Sequence, residues 1–207
     1  PSSALGDPAT PPPQGDNTTH FSILDRAGNR VAATLSLNLA FGSGFMVPGT
    51  GVLLNNEMDD FTTAVGAANS YGLTGSAANV IAPGKRPLSS MTPTFVEYND
   101  RVAIVGTPGG SRIPGMVLGT VLALLEAGAP VAVLAEPRFH HQYLPDQVDA
   151  EPEFFGSDRA RQLRARKHFV TSTGRNYGNM QLVIWEKGAG RVTATSDPRG
   201  SGQSLVK

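Results

Sequence analysis

Three pairs of short strand-like runs, the first with clear period-two alternation and each joined by a tight turn, commit much of this chain to antiparallel sheet. In the first, Phe21 and Ile23 lead into Asp25-Arg26-Ala27-Gly28-Asn29, and Val31, Ala33, Leu35 and Leu37 resume the alternation. Successive strand side chains point to opposite faces, so this pattern predicts a β-hairpin. The second pair is Thr94 to Tyr98 and Val102 to Gly106 around Asn99-Asp100; the third is Met180 to Trp185 and Arg191 to Thr195 across Gly188-Ala189-Gly190. Helical spacing falls at Ile113 to Ala127, closed by Gly128, at Val131 to Glu136, and at Asp158 to Lys167 with Ser157 as N-cap. Hairpins interleaved with separate helices predict an α+β architecture of sheets with helical outer layers.

The 207 residues suffice for one domain with a sizeable core. Seventeen basic residues balance seventeen acidic ones, so no net field draws the chain to nucleic acid or an anionic membrane. The absence of cysteine excludes disulfides, thiolate metal sites and a cysteine nucleophile, but leaves the compartment open. The apolar run from Met116 to Leu125 is interrupted by glycine and too short to span a bilayer, and no signal peptide opens the chain. Residues 1–16, with Pro8, Pro11, Pro12 and Pro13 among small and polar residues, read as a linker.

Candidate chemistry begins at Asn17-Thr18-Thr19-His20, where that head meets the first strand. A Thr-Thr pair entering a strand satisfies ordinary β-propensity. If the chain is cut before Thr18, however, the threonine carries its own general base, because a free α-amine titrates at about 7.7–8.0. Glu57, Asp59 and Asp60 form an acidic turn without the ligand spacing of a calcium loop. Gly109-Gly110, just before a helix, lets backbone N–H groups approach a ligand, and the Lys-Ser/Thr of a phosphate loop is missing. Ser89 and Ser90 read locally as a polar loop, and Tyr71 is the one aromatic in a Gly- and Ala-rich stretch resembling a lid. Adjacent His140 and His141 would point to opposite faces of a strand and cannot chelate one ion together. The basic run from Arg159 to Lys167 reads as a solvated helix face.

Five segments in order resemble the small catalytic subunit of the γ-glutamyltransferase family: Thr18 to Ser22, Leu53 to Phe61, Lys85 to Met91, Pro108 to Arg112 and Pro137 to Gln142. The resemblance runs from Thr18 to about Gly200. It implies an αββα sandwich of the N-terminal-nucleophile hydrolase type, completed by a large subunit from the same precursor. Residues 1–17 would then be the tail of that subunit or an uncleaved pro-segment, and residues 18–207 the small subunit. It further implies autocatalytic cleavage between Asn17 and Thr18, with Thr18 as nucleophile and Ser36, where the family has threonine, orienting it. Asn38 would contact substrate. Glu57, where many relatives carry glutamine, and Asp60 would grip the substrate α-ammonium, and Ser89 and Ser90 its α-carboxylate, helped by an arginine of the large subunit. Gly109 and Gly110 would form the oxyanion hole, and Tyr71 would cover the bound glutamyl group. The implied donor is glutathione or a related γ-glutamyl amide, and the acceptor water, an amino acid or a peptide, with no cofactor and no metal. Family members are typically exported, so a periplasmic or extracellular place is expected. Cephalosporin acylase and polyglutamate depolymerase relatives, and an uncleaved inactive precursor, are the competing readings.

Overall fold

The structure is a computed structural model and describes residues 17–126, 129–142 and 144–207. The expected linker over residues 1–16 and the helix end at Ala127 and Gly128 lie outside the described residues. In chain order the elements are β1 (Thr18–Leu24), β2 (Arg30–Ser36), β3 (Thr94–Tyr98), β4 (Arg101–Gly106), α1 (Ile113–Leu125), α2 (Pro130–Ala135), β5 (Phe139–Gln142), β6 (Gln147–Ala150), α3 (Pro152–Phe155), α4 (Asp158–Ala165), β7 (Val170–Ser172), β8 (Gln181–Glu186) and β9 (Arg191–Ser196).

All three expected hairpins form. In β1–β2, Thr18 pairs with Ser36 and His20 with Thr34. The turn is held by Asp25, whose Oδ1 accepts the Ala27 and Asn29 N–H groups at 2.8 Å. The other two hairpins combine into one antiparallel sheet of order β3-β4-β8-β9. Its inner strand β4 is apolar and buried from Val102 to Gly106 because both faces are covered there. Ala103 and Val105, with Leu182 and Ile184, pack against Ile113, Met116 and Val117 of α1 and Leu134 of α2. Val102, Ile104 and Val183 face the first hairpin, receiving Leu24 and Ala32. Each buried valine, leucine, isoleucine or methionine side chain contributes about 1.5–3 kcal/mol, so these two clusters hold the layers together.

The hairpin lies flat on β4 and β8, so helices, sheet and hairpin make three successive layers. The side it turns toward the sheet carries His20, Ser22 and Thr34 as well as Ala32. Its other side holds Phe21, Ile23, Val31 and Leu35, which are 41–53% exposed. Period-two spacing fixes which residues share a face, and here the richer apolar face has no covering layer among the described residues.

A second small core joins β5-β6-β7 to α3 and α4 through Val148, Ala150, Phe154, Ala160 and Val170. Sequence spacing reveals only α4 of this group, and its Ser157 cap forms, Oγ accepting the Ala160 N–H at 3.3 Å. Several boundaries shift by a residue or two from expectation, and two of them have a plain backbone cause. α4 ends at Ala165 because Lys167 turns to φ +70°, and β2 ends at Ser36 because Asn38 takes φ +70°, which asparagine tolerates better than most residues.

Candidate active site

Thr18 and Ser36 face each other across the open end of the first hairpin, with Oγ1 and Oγ 2.8 Å apart. Ser36 Oγ also accepts the Asn38 N–H at 2.8 Å, so the serine is fixed from both sides and in turn fixes the Thr18 rotamer. The strand alternation expected through Asn38 does not hold: the left-handed bend there brings its N–H onto Ser36, while its side chain donates to the Asn56 carbonyl. The peptide bond before Thr18 is anchored as well: the Asn17 carbonyl accepts the Leu37 N–H at 2.9 Å, and Asn17 Nδ2 donates to the Asn38 carbonyl.

His20, two residues on, is buried at 5% exposure, with ring nitrogens 2.8 Å from Thr34 Oγ1 and 3.1 Å from Ser22 Oγ. Burial pushes its pKa down to about 4, so it is neutral near pH 7. Its imidazole fills the space where a Cβ on Gly106 would stand, so a glycine at the end of β4 is what lets the hairpin settle on the sheet.

The acidic segment forms a 3₁₀ turn, Glu57–Asp60, docked on the end of β2 by Asn56. Asn56 donates its N–H to Leu37 O at 3.1 Å, accepts the Leu39 N–H on Oδ1 at 3.0 Å, and accepts Asn38 Nδ2 on its carbonyl at 3.2 Å. Asp59 turns away and accepts Ser70 Oγ at 2.6 Å. Glu57 and Asp60 remain side by side. Burial, and then the neighbouring Glu57 charge, push Asp60 up to about 6, while Glu57 Oε1 is buried without a hydrogen-bond partner. Two carboxyl groups so placed call for a cation. No cluster of three metal-ligating side chains exists among the described residues.

Gly109 and Gly110 adopt φ of +145° and +58° where β4 gives way to α1, and their N–H groups precede the first hydrogen-bonded turn. Tyr71 lies against this loop: a Cβ on Gly110 would come 2.5 Å from its ring. Its hydroxyl donates to the Asn38 carbonyl at 2.9 Å, and burial pushes the phenol up to about 12, so it stays a donor. The lid segment is itself ordered by Asn69 Oδ1, which accepts the N–H groups of Tyr71 and Leu73 at 3.0 and 3.1 Å.

Ser89 is exposed, its Oγ accepting the Met91 N–H at 3.2 Å, and Ser90 is half-buried. Neither hydroxyl bonds directly to the groups above. Their segment is nonetheless tied to the acidic turn by Asn79, which donates Nδ2 to Asp60 O at 2.7 Å and accepts the Leu88 N–H at 2.9 Å. The two histidines behave as strand geometry requires: His140 bonds Gln142 and His141 bonds Asp146, on opposite faces of β5.

Direct contacts therefore join Thr18, Ser36, Asn38, Tyr71 and Gly110, and asparagine side chains attach Glu57, Asp60 and the Ser89 segment. Sequence reasoning assigned no role to Asn56, Asn69, Asn79 or Gln142, whose amides span separate loops. It also missed a buried ionic network in which Arg138 pairs with Asp197 and Arg199 with Glu151, the Glu151 and Asp197 side chains being fully buried. A cavity of about 580 Å³ lies between part of that network and Gly109, lined by Pro108, Tyr177, Asn179 and Arg199 among others.

A threonine opening a strand of a hairpin stacked on a larger sheet, beside a second hydroxyl and a Gly-Gly loop at a helix start, defines an N-terminal-nucleophile hydrolase type of site. The γ-glutamyltranspeptidase sequence model matches residues 2–206, and the chain belongs to that family. It is 51% identical over 146 residues to a glutathione hydrolase proenzyme of Pseudomonas sp. strain A14, covering 70% of this chain and 25% of that protein. It is 40% identical over 201 residues to the glutathione hydrolase proenzyme of Escherichia coli K12, covering 96% of this chain and 34% of that protein. The solved γ-glutamyltranspeptidase of Pseudomonas nitroreducens, complexed with L-DON, superposes with a TM-score of 0.83 at 40% identity, covering 91% of this chain and 99% of that one. The chain thus spans a quarter to a third of the length of these curated relatives.

Proposed function

We propose that this chain is the catalytic portion of an enzyme that transfers or hydrolyses γ-glutamyl groups, with glutathione or a related γ-glutamyl amide as donor. The observation that carries this reading is the Thr18 Oγ1···Ser36 Oγ contact of 2.8 Å at a strand end that also holds the crowded Glu57–Asp60 pair. It is supported by the glutathione hydrolase names of the relatives.

Activation would be self-cleavage. The Thr18 hydroxyl attacks the Asn17 carbonyl, the Asn17–Thr18 C–N bond breaks to give an ester and a free Thr18 amine, and water hydrolyses the ester. Residues up to Asn17 then belong to a separate large subunit. The apolar outer face of the first hairpin, with Phe21, Ile23, Val31 and Leu35, is a surface that such a subunit would cover.

In turnover the Thr18 amine takes the hydroxyl proton as Oγ1 adds to the γ-carbonyl carbon, Ser36 holding the hydroxyl in line. Charge on the carbonyl oxygen is met by the backbone N–H groups of Gly109 and Gly110. The leaving amine departs with a proton returned from the Thr18 amine, and the ester passes its glutamyl group to water or to an amino-acid or peptide amine. Glu57 and Asp60 bind the donor α-ammonium, Ser89 and Ser90 its α-carboxylate, Asn38 contacts it, and Tyr71 closes over it. An exported enzyme, periplasmic or extracellular, fits the proposal.

The test is a side-by-side assay of the processed protein on γ-glutamyl anilide, glutaryl anilide and polyglutamate. Preference for the first supports the proposal. Equal use of glutaryl anilide would replace it with an acylase function, and preference for polyglutamate with a depolymerase.

A further inference from the structure

Gln142 closes β5 and pairs with Gln147 of β6, so its backbone belongs to the three-stranded sheet rather than to any loop of the site. Its side chain nevertheless reaches two of those loops. Nε2 donates to the Tyr71 carbonyl at 3.1 Å and to the Leu144 carbonyl at 2.8 Å. Oε1 accepts Ser111 Oγ at 2.9 Å and lies 2.9 Å from His140 Nε2. A primary amide has two N–H donors and an oxygen able to accept twice, and all four capacities are used here. The orientation is unambiguous, because carbonyls only accept and therefore must face the nitrogen. His140 correspondingly carries its proton on Nε2.

The consequence is mechanical. Tyr71 is held at both ends: its hydroxyl on the Asn38 carbonyl, its own carbonyl on Gln142. Between those points its ring lies against Gly110. Ser111, the next residue, is held by the same Gln142 side chain. One amide thus sets the lid segment and the Gly-Gly loop in register with each other and with a sheet that neither belongs to. Replacing the Tyr71 hydroxyl would release only one end of the lid; the other end depends on Gln142.

We propose that Gln142 is a positioning residue that latches the Tyr71 segment closed over the Gly109–Gly110 loop. It touches no reacting atom. This inference rests on the proposed acyl-transfer reading for its kinetic consequence, but not for its structural one.

Gln142→Glu is the sharp test, since it preserves shape while turning an oxygen toward two carbonyl oxygens and removing both donors. Amide hydrogen exchange at Tyr71 to Leu73 should quicken by about tenfold or more, the equivalent of one lost latch contact, while exchange in β6 and β8 stays as in the parent. In the processed enzyme the donor KM should rise by about tenfold with kcat falling less than about threefold, as expected when closure over bound donor is weakened. Gln142→Met, which lacks charge and both hydrogen-bonding atoms, serves as the second variant should the carboxylate prevent folding. Unchanged exchange at Tyr71 to Leu73 in either folded variant overturns the latch. So does faster exchange spread evenly over β5, β6 and β8 with kcat and KM worsening together, which marks Gln142 as part of the sheet's stability alone. Faster local exchange in a protein that does not cleave γ-glutamyl amides would keep the latch and remove the functional reading.

Discussion

Asp60 makes the donor-recognition argument quantitative. Burial and the adjacent Glu57 push its pKa up to about 6, well above an ordinary aspartate. A donor ammonium can form a full ion pair only with the ionised form, so below pH 6 binding must first expel a proton. That costs up to tenfold in affinity per pH unit, since one pKa unit corresponds to about 1.36 kcal/mol. The Thr18 amine titrates as well, which complicates any simple rate profile. A ratio removes this: dissociation constants of L-glutamate and glutarate, measured by calorimetry on the processed protein, share every feature except the ammonium. Glutamate should be favoured by roughly tenfold to a hundredfold at pH 7.5, the worth of a charge-assisted contact of about 1.5–3 kcal/mol. The preference should shrink by about fivefold between pH 6 and pH 5, as the ionised fraction of Asp60 falls from about a half to about a tenth, and in Asp60→Asn it should be small and flat. A wild-type ratio that stays constant from pH 7.5 to pH 5 would refute the assignment of Asp60 as the ammonium partner.

Gly110→Ala places a Cβ 2.5 Å from the Tyr71 ring at a φ of +58°; kcat should drop by about a hundredfold if the Gly110 N–H stabilises the oxyanion, with donor KM changing much less, and full kcat in a folded variant would send the search for oxyanion donors elsewhere. His20 predicts acid sensitivity of the fold. Because the unfolded chain takes up a proton near pH 6.5 that folded His20 refuses until about pH 4, stability is highest above pH 6.5 and falls through that window. The loss reaches about 3 kcal/mol at most. Urea titrations of wild type and His20→Gln should converge as pH falls from 7 to 4, and parallel curves would show that His20 does not titrate in this way.

The hairpins and the main helices were legible because each is specified by its own contiguous residues: Val102 to Gly106 has no alternation to misread, and Ser157 announces α4 directly. The sheet of β5, β6 and β7 was not, since three- and four-residue strands such as Val170–Ser172 acquire their identity only by pairing with distant partners, β6 with β7 in parallel. Residue types marked the chemistry at Thr18, Glu57, Asp60 and Gly109-Gly110, yet the ties that assemble them are amides of Asn56, Asn79 and Gln142. An amide in sequence carries no sign of which loops it will bridge. Alternation in β1 and β2 likewise sorted residues onto faces, but only packing revealed that His20, rather than Phe21 and Ile23, meets the four-stranded sheet. Asn38 was expected on a strand because nothing local marks its left-handed turn, which the Ser36 and Tyr71 hydrogen bonds select.

The central claim is that Thr18 is the nucleophile of both self-cleavage and turnover, and intact mass spectrometry of the whole precursor tests it most directly. Wild type should resolve into two chains divided between Asn17 and Thr18, with a γ-glutamyl donor adding one glutamyl mass to the Thr18-bearing chain. Thr18→Ala should remain a single folded, inactive chain. Division at that bond in Thr18→Ala, or a glutamyl adduct mapped to a residue other than Thr18 in wild type, would contradict the account.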